Sequence, residues 1–379
     1  MPDTNILFQK VKLGSTELEN RVSVAPMTRT SATPEGLATG QMDSYYTSFA
    51  RGGFGLIITE GIYPDQKYSQ GYFNQPGITD EEQTAAWKKV VDSVHQAGAK
   101  IFAQLMHAGA LSQGNRFMED SIGPSSVQPK GEQMEFYGGS GSFPKPKEAS
   151  KEDIQDVIKG FTEAAVRAKT AGFDGVEIHG ANGYILDQFL TDYTNQRTDE
   201  YGGSIENRVR LLVEVSNAVR EAVGEDFTVG IRISQGKVND YEHKWAEKEK
   251  EAEIIFDQLG NAPLDFIHVT EYEAWQPAFP EGEGTAAVDS AFGDGGPSLA
   301  ALAKKYGKQP VIANGHLEKP ELAVSIVEKG EADVVSLGKG ALANHDWVKK
   351  VKEGEPLAEF QPEKVLSPDA KIKDFEAQG

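Results

Sequence analysis

The chain has 379 residues, 39% of them hydrophobic and 25% charged, which is enough apolar content to bury a large core. It has no cysteine, which excludes disulfides, thiolate nucleophiles, Cys-ligated zinc and ordinary iron–sulfur clusters. Its 38 basic and 58 acidic residues leave a net charge of −20, which repels nucleic-acid backbones and anionic membranes.

No apolar run approaches the roughly 18 residues of a membrane helix, and the opening MPDTNILFQK lacks the apolar stretch of a signal peptide. The expectation is a soluble cytoplasmic protein that engages neither nucleic acid nor membrane. Taken in chain order, Val11–Leu18 (VKLGSTEL) reads as a small hairpin turning at Gly14-Ser15, placed to plug the bottom of a barrel. Eight short runs rich in β-branched residues come next: Val22–Ala25, Leu56–Thr59, Ile101–Leu105, Gly175–Ile178, Val229–Ile233, Phe266–Val269, Val311–Ala313 and Val334–Leu337. Most are continuously apolar, as parallel strands covered on both faces are.

Amphipathic segments separate these runs. Thr79 caps one, through Trp87, Val90, Val91 and Val94 to Gly98. Another starts after Ser150, with Ile154, Val157, Ile158, Phe161, Ala164, Ala165 and Ala168 at helical spacing before Gly172. Ser204 opens a third through Val209, Leu212, Val213 and Val219, and shorter helices precede Gly260, Gly307 and Gly330. Eight strands alternating with helices predict an α/β fold, either an open doubly wound sheet or a single closed (β/α)₈ TIM barrel. No G-x-G-x-x-G comes after a strand, so the barrel is favoured. The whole chain is then one domain, with residues after about 353 as a C-terminal surface appendage. Two loops, Met106–Ala149 after strand three and Glu271–Pro297 after strand six, are too long for connectors and read as parts of a lid.

In a barrel, polar residues at strand C-termini share one basin. Here they are Thr28, Glu60-Gly61, Gln104, His107, His179, Asn182, Arg232, Ser234, His268, Thr270, Asn314-Gly315 and Gly338-Lys339. The last two strands are where this fold commonly holds a phosphate. No carboxylate cluster accompanies the histidines, so no metal site is expected. Arg232, between Ile231 and Ile233, needs an acceptor or anion, and a carboxylate such as Asp265 is the plainest partner. In His179-Gly180-Ala181-Asn182-Gly183-Tyr184, two donors can polarise a carbonyl and a phenol can supply a proton. The alternative is that all three are structural, with Tyr184 on an apolar helix face beside Ile185 and Phe189.

The run HGANGYILDQFL (179–190), with NQRTDEYGGSIENR (195–208) shortly after it, resembles the signature of the old yellow enzyme family of FMN-dependent ene-reductases. NRVSVAPMTR (20–29), LIITEG (56–61), QLMHAG (104–109), VGIRIS (229–234) and LGKGALANHDW (337–347) extend the resemblance along the chain in order. It implies a (β/α)₈ barrel holding one non-covalent FMN, reduced by NADH or NADPH. Ala25, Pro26, Met27 and Thr28 would lie against the flavin, Gly61 and Gln104 at its pyrimidine edge, and Arg232 beside N1. Asn314, Gly315, Gly338 and Lys339 would wrap the phosphate. His179 and Asn182 would bind the carbonyl oxygen of a small enone or nitro substrate, and Tyr184 would protonate it. Tyr72, Met106, Trp275 and Phe279 would complete the substrate pocket, in a monomer or a homo-oligomer. Three positions depart from common family patterns. Lys339 stands where many relatives have Arg, Met106 where some have Trp, and Thr28 where the redox-sensitive branch has Cys.

Overall fold

All eight runs form strands in the computed structural model, which describes residues 4–280 and 295–378. They are β1 (Val22–Val24), β2 (Leu56–Ile58), β3 (Lys100–Leu105), β4 (Gly175–Asn182), β5 (Thr228–Lys237), β6 (Phe266–Thr270), β7 (Val311–Asn314) and β8 (Val334–Leu337). Neighbours in sequence pair in parallel, and β8 closes on β1 with Leu337 opposite Val24. The result is an eight-stranded barrel. β4 and β5 run further than their apolar cores, to Asn182 and Lys237, with the ladder shifted between Gly180 and Asn182. A backbone ladder needs no apolar side chains, so hydropathy underestimates strands that continue into a polar mouth.

Alternation along the strands sorts the interior into layers. The lower layer is apolar: Leu56, Ile58, Phe102, Phe266, Ile312 and Val334 cluster with Leu13 and Leu18 of the N-terminal hairpin. That hairpin pairs Val11–Leu13 with Thr16–Leu18 and plugs the barrel floor, Leu13 and Leu18 being fully buried. Phe102 and Phe266 stack with ring centroids 5.6 Å apart. Their neighbours must be small, because a Cβ on Gly230 would lie 2.2 Å from the Phe266 ring and one on Gly175 would lie 2.9 Å from Phe102. Two residues further along the same strands stand Gln104, Glu177, Arg232, His268, Asn314 and Ser336. The polar layer is thus the next rung above the aromatic one.

Helices α1 (Gly40–Arg51), α2 (Glu81–Gln96), α3 (Lys151–Ala171), α4 (Ile185–Leu190) and α5 (Ile205–Val223) cover the first half of the barrel. Ser150 and Asp153 form a capping box on α3, and Gly172 ends it in the left-handed region at φ +92°. The cap of α2 is Asp80, not Thr79. The Asp80 carboxylate accepts the Gln83 N–H at 2.8 Å, while the Thr79 hydroxyl donates to the Gln83 side chain at 2.9 Å. Among the described residues no helix is long and apolar enough to cross a membrane.

Of the two long loops, Met106–Ala149 is pinned across the mouth. Ile122–Gly123 pairs with Lys147–Glu148, Tyr137 packs 4.6 Å from Tyr72, and the Tyr137 hydroxyl donates to the Thr28 carbonyl at 3.1 Å. The loop after β6 is described only at its ends, residues 281–294 lying outside the described residues. The segment after 353 is a surface appendage only in part. Val365, Ala370, Ile372 and Glu376 are buried, and Arg29 sends both terminal nitrogens to Glu376 at 2.6 Å and its Nε to the Ala370 carbonyl at 2.9 Å. A buried ion pair and backbone carbonyls fasten this tail, so its polar composition conceals the docking.

Glu60 pins the turn after β1. One carboxylate oxygen accepts the backbone N–H of Arg29 at 3.0 Å and of Thr30 at 3.2 Å, and the other accepts the Tyr46 hydroxyl at 3.2 Å. Burial pushes its carboxyl up to about 7, against the Arg29 N–H and the Tyr46 hydroxyl, which favour the anion.

Leu13→Ala should cost about 2–5 kcal/mol in chemical denaturation, the range for emptying a buried leucine site; a loss below about 1 kcal/mol would remove the hairpin from the core. For Glu60, a raised native value means the folded state holds the proton more tightly than the unfolded chain. Its contribution is therefore complete below the ordinary value of 4.5 and lost as pH rises through about 7. Wild-type stability relative to Glu60→Gln should fall by roughly 3 kcal/mol between pH 4.5 and 7.5; a difference constant with pH would contradict the assignment.

Candidate active site

The polar mouth is assembled chiefly from the ends of β4 and β5. On β4, the Ala181 N–H donates to Nδ1 of His179 at 3.3 Å, which leaves the imidazole proton on Nε2. Burial, with the charges of Arg232 and His268, holds His179 well below its ordinary value. It is a neutral, oriented N–H donor. Asn182 comes next at φ +61°, a left-handed conformation that Asn tolerates better than most residues. Its own N–H donates to Ser234 Oγ at 2.8 Å, and the residue lines the cavity at the mouth.

A buried ion pair holds this turn. Asp187, at the start of α4, accepts the Gly183 N–H at 2.6 Å and Lys237 Nζ at 3.0 and 2.9 Å. Both side chains are at most 2% exposed. Breaking such a pair by removing one partner strands a buried charge, so it fixes the turn firmly. Tyr184 stands between the turn and α4. Its hydroxyl lies 2.6 Å from that of Tyr72, and its ring packs edge-on at 5.0 Å from His179. Burial raises Tyr184 to about 12 despite the hydrogen bond with Tyr72, so the phenol stays protonated at neutral pH. Met106, Leu111 and Phe143 complete an apolar wall around the two tyrosines.

Arg232 rises from β5 into the same space, 4% exposed. Its Nη2 donates to Asn314 Oδ1 at 2.8 Å, while Nε is buried without a partner among the described residues. Burial lowers it to about 10, against the nearby charge of Glu177, so it remains a cation at neutral pH. Asp265 is not its partner: that carboxylate takes Arg220 at 2.6 Å and the Val229 N–H at 2.9 Å, because it sits at the opposite end of β6. Glu177 is already engaged, accepting Gln104 Nε2 at 2.9 Å and His268 Nδ1 at 2.7 Å. Burial opposes its charge, but His268, Arg232 and the Gln104 amide outweigh that and keep it below the usual carboxylate range.

Beside these groups opens a cavity of about 590 Å³ that reaches from Asn182 and Tyr241 to Thr270, Asn314, His316 and Lys339. Gly315, at φ +140°, leaves no room for a side chain, since a Cβ there would lie 2.1 Å from the Glu271 carbonyl. Ser336 Oγ and His268 Nε2 are two more buried polar atoms without partners among the described residues.

This cavity brings together Asn182, Asn314, Gly315, Gly338 and Lys339, with Arg232 joined through Asn314. His179, Tyr184, Tyr72 and Met106 form the adjoining wall. Pro26, Met27 and Thr28 are half-buried at the end of β1, and the N–H of buried Ala25 donates to the Leu337 carbonyl. Gly61 lies under Met106, whose sulfur would be 2.5 Å from a Cβ there. Trp275 and Phe279 are not brought to the cavity; they pack on the main core, Phe279 with its ring 6.5 Å from Trp245. His107 also turns away, its Nε2 lying 3.8 Å from Asp65. Glu177, Lys237, Tyr137 and His316 belong to the site or its support without having stood out in the sequence. Glu177 was within reach, two residues before His179 on one strand face. The Asp187–Lys237 pair joins separate elements and carries no local signal.

The residues fit a planar heteroaromatic ring bearing a phosphate. Arg232 offers an unmet N–H, Gln104 keeps its carbonyl oxygen free of Glu177, and glycines and Lys339 border the far end of the cavity. Among the described residues no group of three His, Asp or Glu side chains could hold a metal ion.

Known proteins resemble the chain along most of its length. Residues 6–358 match the model of the NADH:flavin oxidoreductase / NADH oxidase family. The chain is 34% identical to 12-oxophytodienoate reductase 7 of Oryza sativa, over 96% of this chain and 92% of that protein. It is 34% identical to a probable flavin mononucleotide-dependent alkene reductase of Leishmania infantum, over 94% and 93%. It is also 34% identical to NADH oxidase of Thermoanaerobacter brockii over 92% of this chain, but spans only 51% of that longer protein. The solved structure of the old yellow enzyme homologue from Zymomonas mobilis superposes with a TM-score of 0.82 and 29% identity, covering 98% of each chain. The chain therefore belongs to the NADH:flavin oxidoreductase family of old yellow enzymes, FMN-dependent barrels that take hydride from NAD(P)H.

Proposed function

We propose that this protein is an ene-reductase that uses NADH or NADPH to reduce the activated alkene of small α,β-unsaturated carbonyl or nitro compounds. The observation that carries this reading is the single wall made by a neutral imidazole, an amide and a protonated phenol, next to a buried guanidinium with an unmet N–H. FMN, when bound, would supply the hydride-transfer chemistry between nicotinamide and activated alkene.

The chain's own residues orient and polarise. Ala25, Pro26, Met27 and Thr28 would support one face of the ring, and Gly61 and Gln104 would meet its pyrimidine edge. Because Gln104 Nε2 is committed to Glu177, its carbonyl oxygen is the atom left to accept a ring N–H. Arg232 would stabilise negative charge on the same edge, where a dry site strengthens the interaction. Asn314, Gly315, Gly338 and Lys339 would hold the phosphate end.

On the substrate side, His179 Nε2–H and the Asn182 amide would donate to the carbonyl or nitro oxygen and draw electron density from the alkene. A neutral His179 suits this role, since a fixed donor needs no proton exchange. Tyr184 would release its proton to the α-carbon. Tyr72, whose hydroxyl burial also holds well above its ordinary value, lies 2.6 Å from the Tyr184 hydroxyl and would donate to its oxygen once that proton has left. Met106 and Tyr72 would wall the pocket against water. A cytoplasmic location, where reduced nicotinamides are plentiful, belongs to the same reading.

The purified protein should be yellow, bleach anaerobically with NADH or NADPH, and recover its colour on adding cyclohexenone. A colourless protein that takes up no FMN would contradict the reading. In stopped-flow work, Tyr184→Phe should slow the cyclohexenone-dependent reoxidation by about 10²-fold or more while leaving reduction by nicotinamide unchanged; equal slowing of both would remove Tyr184 from proton delivery.

A further inference from the structure

At the far end of the cavity one contact has no role in the function proposed above. Lys339 Nζ lies 2.8 Å from Nε2 of His316. An ammonium only donates, so in this arrangement Nε2 is unprotonated and the imidazole neutral. His316 sits at φ +48°, a strained left-handed position for an imidazole, and that backbone turns the ring toward Lys339 at the ends of β7 and β8. The surroundings are mixed in charge. Glu318 Oε1 stands 3.4 Å from Lys339 Nζ, the Tyr272 ring packs 4.4 Å from the imidazole, and Glu273 and Glu318 both favour its charged form. Glu271, in the same loop as Tyr272, is occupied by Lys244 at 2.8 Å. Burial and then Lys339 hold His316 below its ordinary value.

One lysine is a poor match for a phosphate monoester, and the other two that line this cavity, Lys237 and Lys244, are already paired with Asp187 and Glu271. Near neutral pH the ester carries about −1.5 to −2 charges and three strong acceptor oxygens, while one ammonium supplies a single positive charge without a planar fork. We propose that His316 and Lys339 together grip the flavin phosphate, and that His316 takes up one proton from solvent as the phosphate binds. Phosphate oxygens would replace Nε2 as the acceptors of Lys339 Nζ, and protonated Nε2 becomes a second charged donor. Two positive charges then face a dianion. This inference rests on FMN lying in the cavity with its phosphate between the ends of β7 and β8.

The pH dependence has a definite sign. The phosphate raises the bound-state value of His316 above its free-state value, so affinity is full below the free-state value and is lost as pH rises through the bound-state one. The phosphate's own second ionisation, near pH 6, acts the other way and is essentially complete above pH 7. The window from pH 7 to 9 therefore isolates the imidazole.

The test is flavin binding to apoprotein prepared from the purified holoprotein, monitored by fluorescence quenching from pH 7 to 9, with FMN and with riboflavin, which has the same ring and no phosphate. The expected result is an FMN Kd that rises roughly tenfold across this window while the riboflavin Kd stays flat. Calorimetry at pH 7.5 in two buffers of different ionisation enthalpy should show proton uptake with FMN only. His316→Asn, which tolerates the left-handed backbone, and His316→Gly, which relieves it, should both bind FMN more weakly at pH 7, with no slope and no proton uptake. An FMN affinity flat with pH in the wild type, an equal slope with riboflavin, or a slope retained in both variants would overturn the inference while leaving the FMN site intact. Failure to bind either flavin would overturn the FMN reading beneath it.

Discussion

A guanidinium inside a closed barrel is an expensive thing to leave half satisfied. Arg232 is 4% exposed and held through Asn314, with Nε unmet among the described residues. The nearest anion, Glu177, is bound to Gln104 and His268 instead. Burying a cation without a matched acceptor costs several kcal/mol, so the fold carries a stored demand for an electron-rich partner at this spot. The rest of the mouth is arranged around that demand. Asn314 links Arg232 to the Lys339 end of the cavity, Glu177 fixes the Gln104 amide, and Asn182, at the end of β4 beyond His179, lines the same space.

The barrel meets this demand by layering. Phe102 and Phe266 stack across the lower interior and require glycine at 175 and 230; two residues further along those strands, polar side chains replace apolar ones. The hairpin closes the floor with Leu13 and Leu18, so the polar layer opens at one end only. Above it, the shift in the β4–β5 ladder and the buried Asp187–Lys237 pair set Asn182 and Tyr184 at fixed heights relative to His179. The His179–Asn182–Tyr184 segment is therefore preorganised by backbone register and one ion pair, the kind of rigidity that a catalytic geometry requires.

Much of this was legible in the sequence. The eight strands, the plugging hairpin and the helix starts at Ser150 and Ser204 come from local apolar patterns and capping residues, and the long motif beginning at His179 pointed to the family. Other features were not. The Asp80 cap was hidden by the adjacent Thr79, either being a good cap by composition. The docking of the C-terminal tail rests on Arg29 and Glu376, which nothing local links. Trp275 and Phe279, expected to complete the substrate pocket, pack half-buried on the core, because a large ring in a loop serves either purpose. His316 escaped notice since a histidine at a left-handed position has no pattern to betray it.

In the function proposed, the flavin ring answers the unmet demand of Arg232, opposite a clamp made by His179 and Asn182. A crystal structure of the FMN-loaded protein with a bound para-substituted phenol tests it most directly. Arg232 Nε should lie within hydrogen-bond distance of an acceptor on the flavin pyrimidine ring, and the phenol oxygen should be shared between His179 Nε2 and the Asn182 amide. A flavin bound elsewhere, or an Arg232 that swings onto Glu177 and leaves the ring untouched, would contradict it.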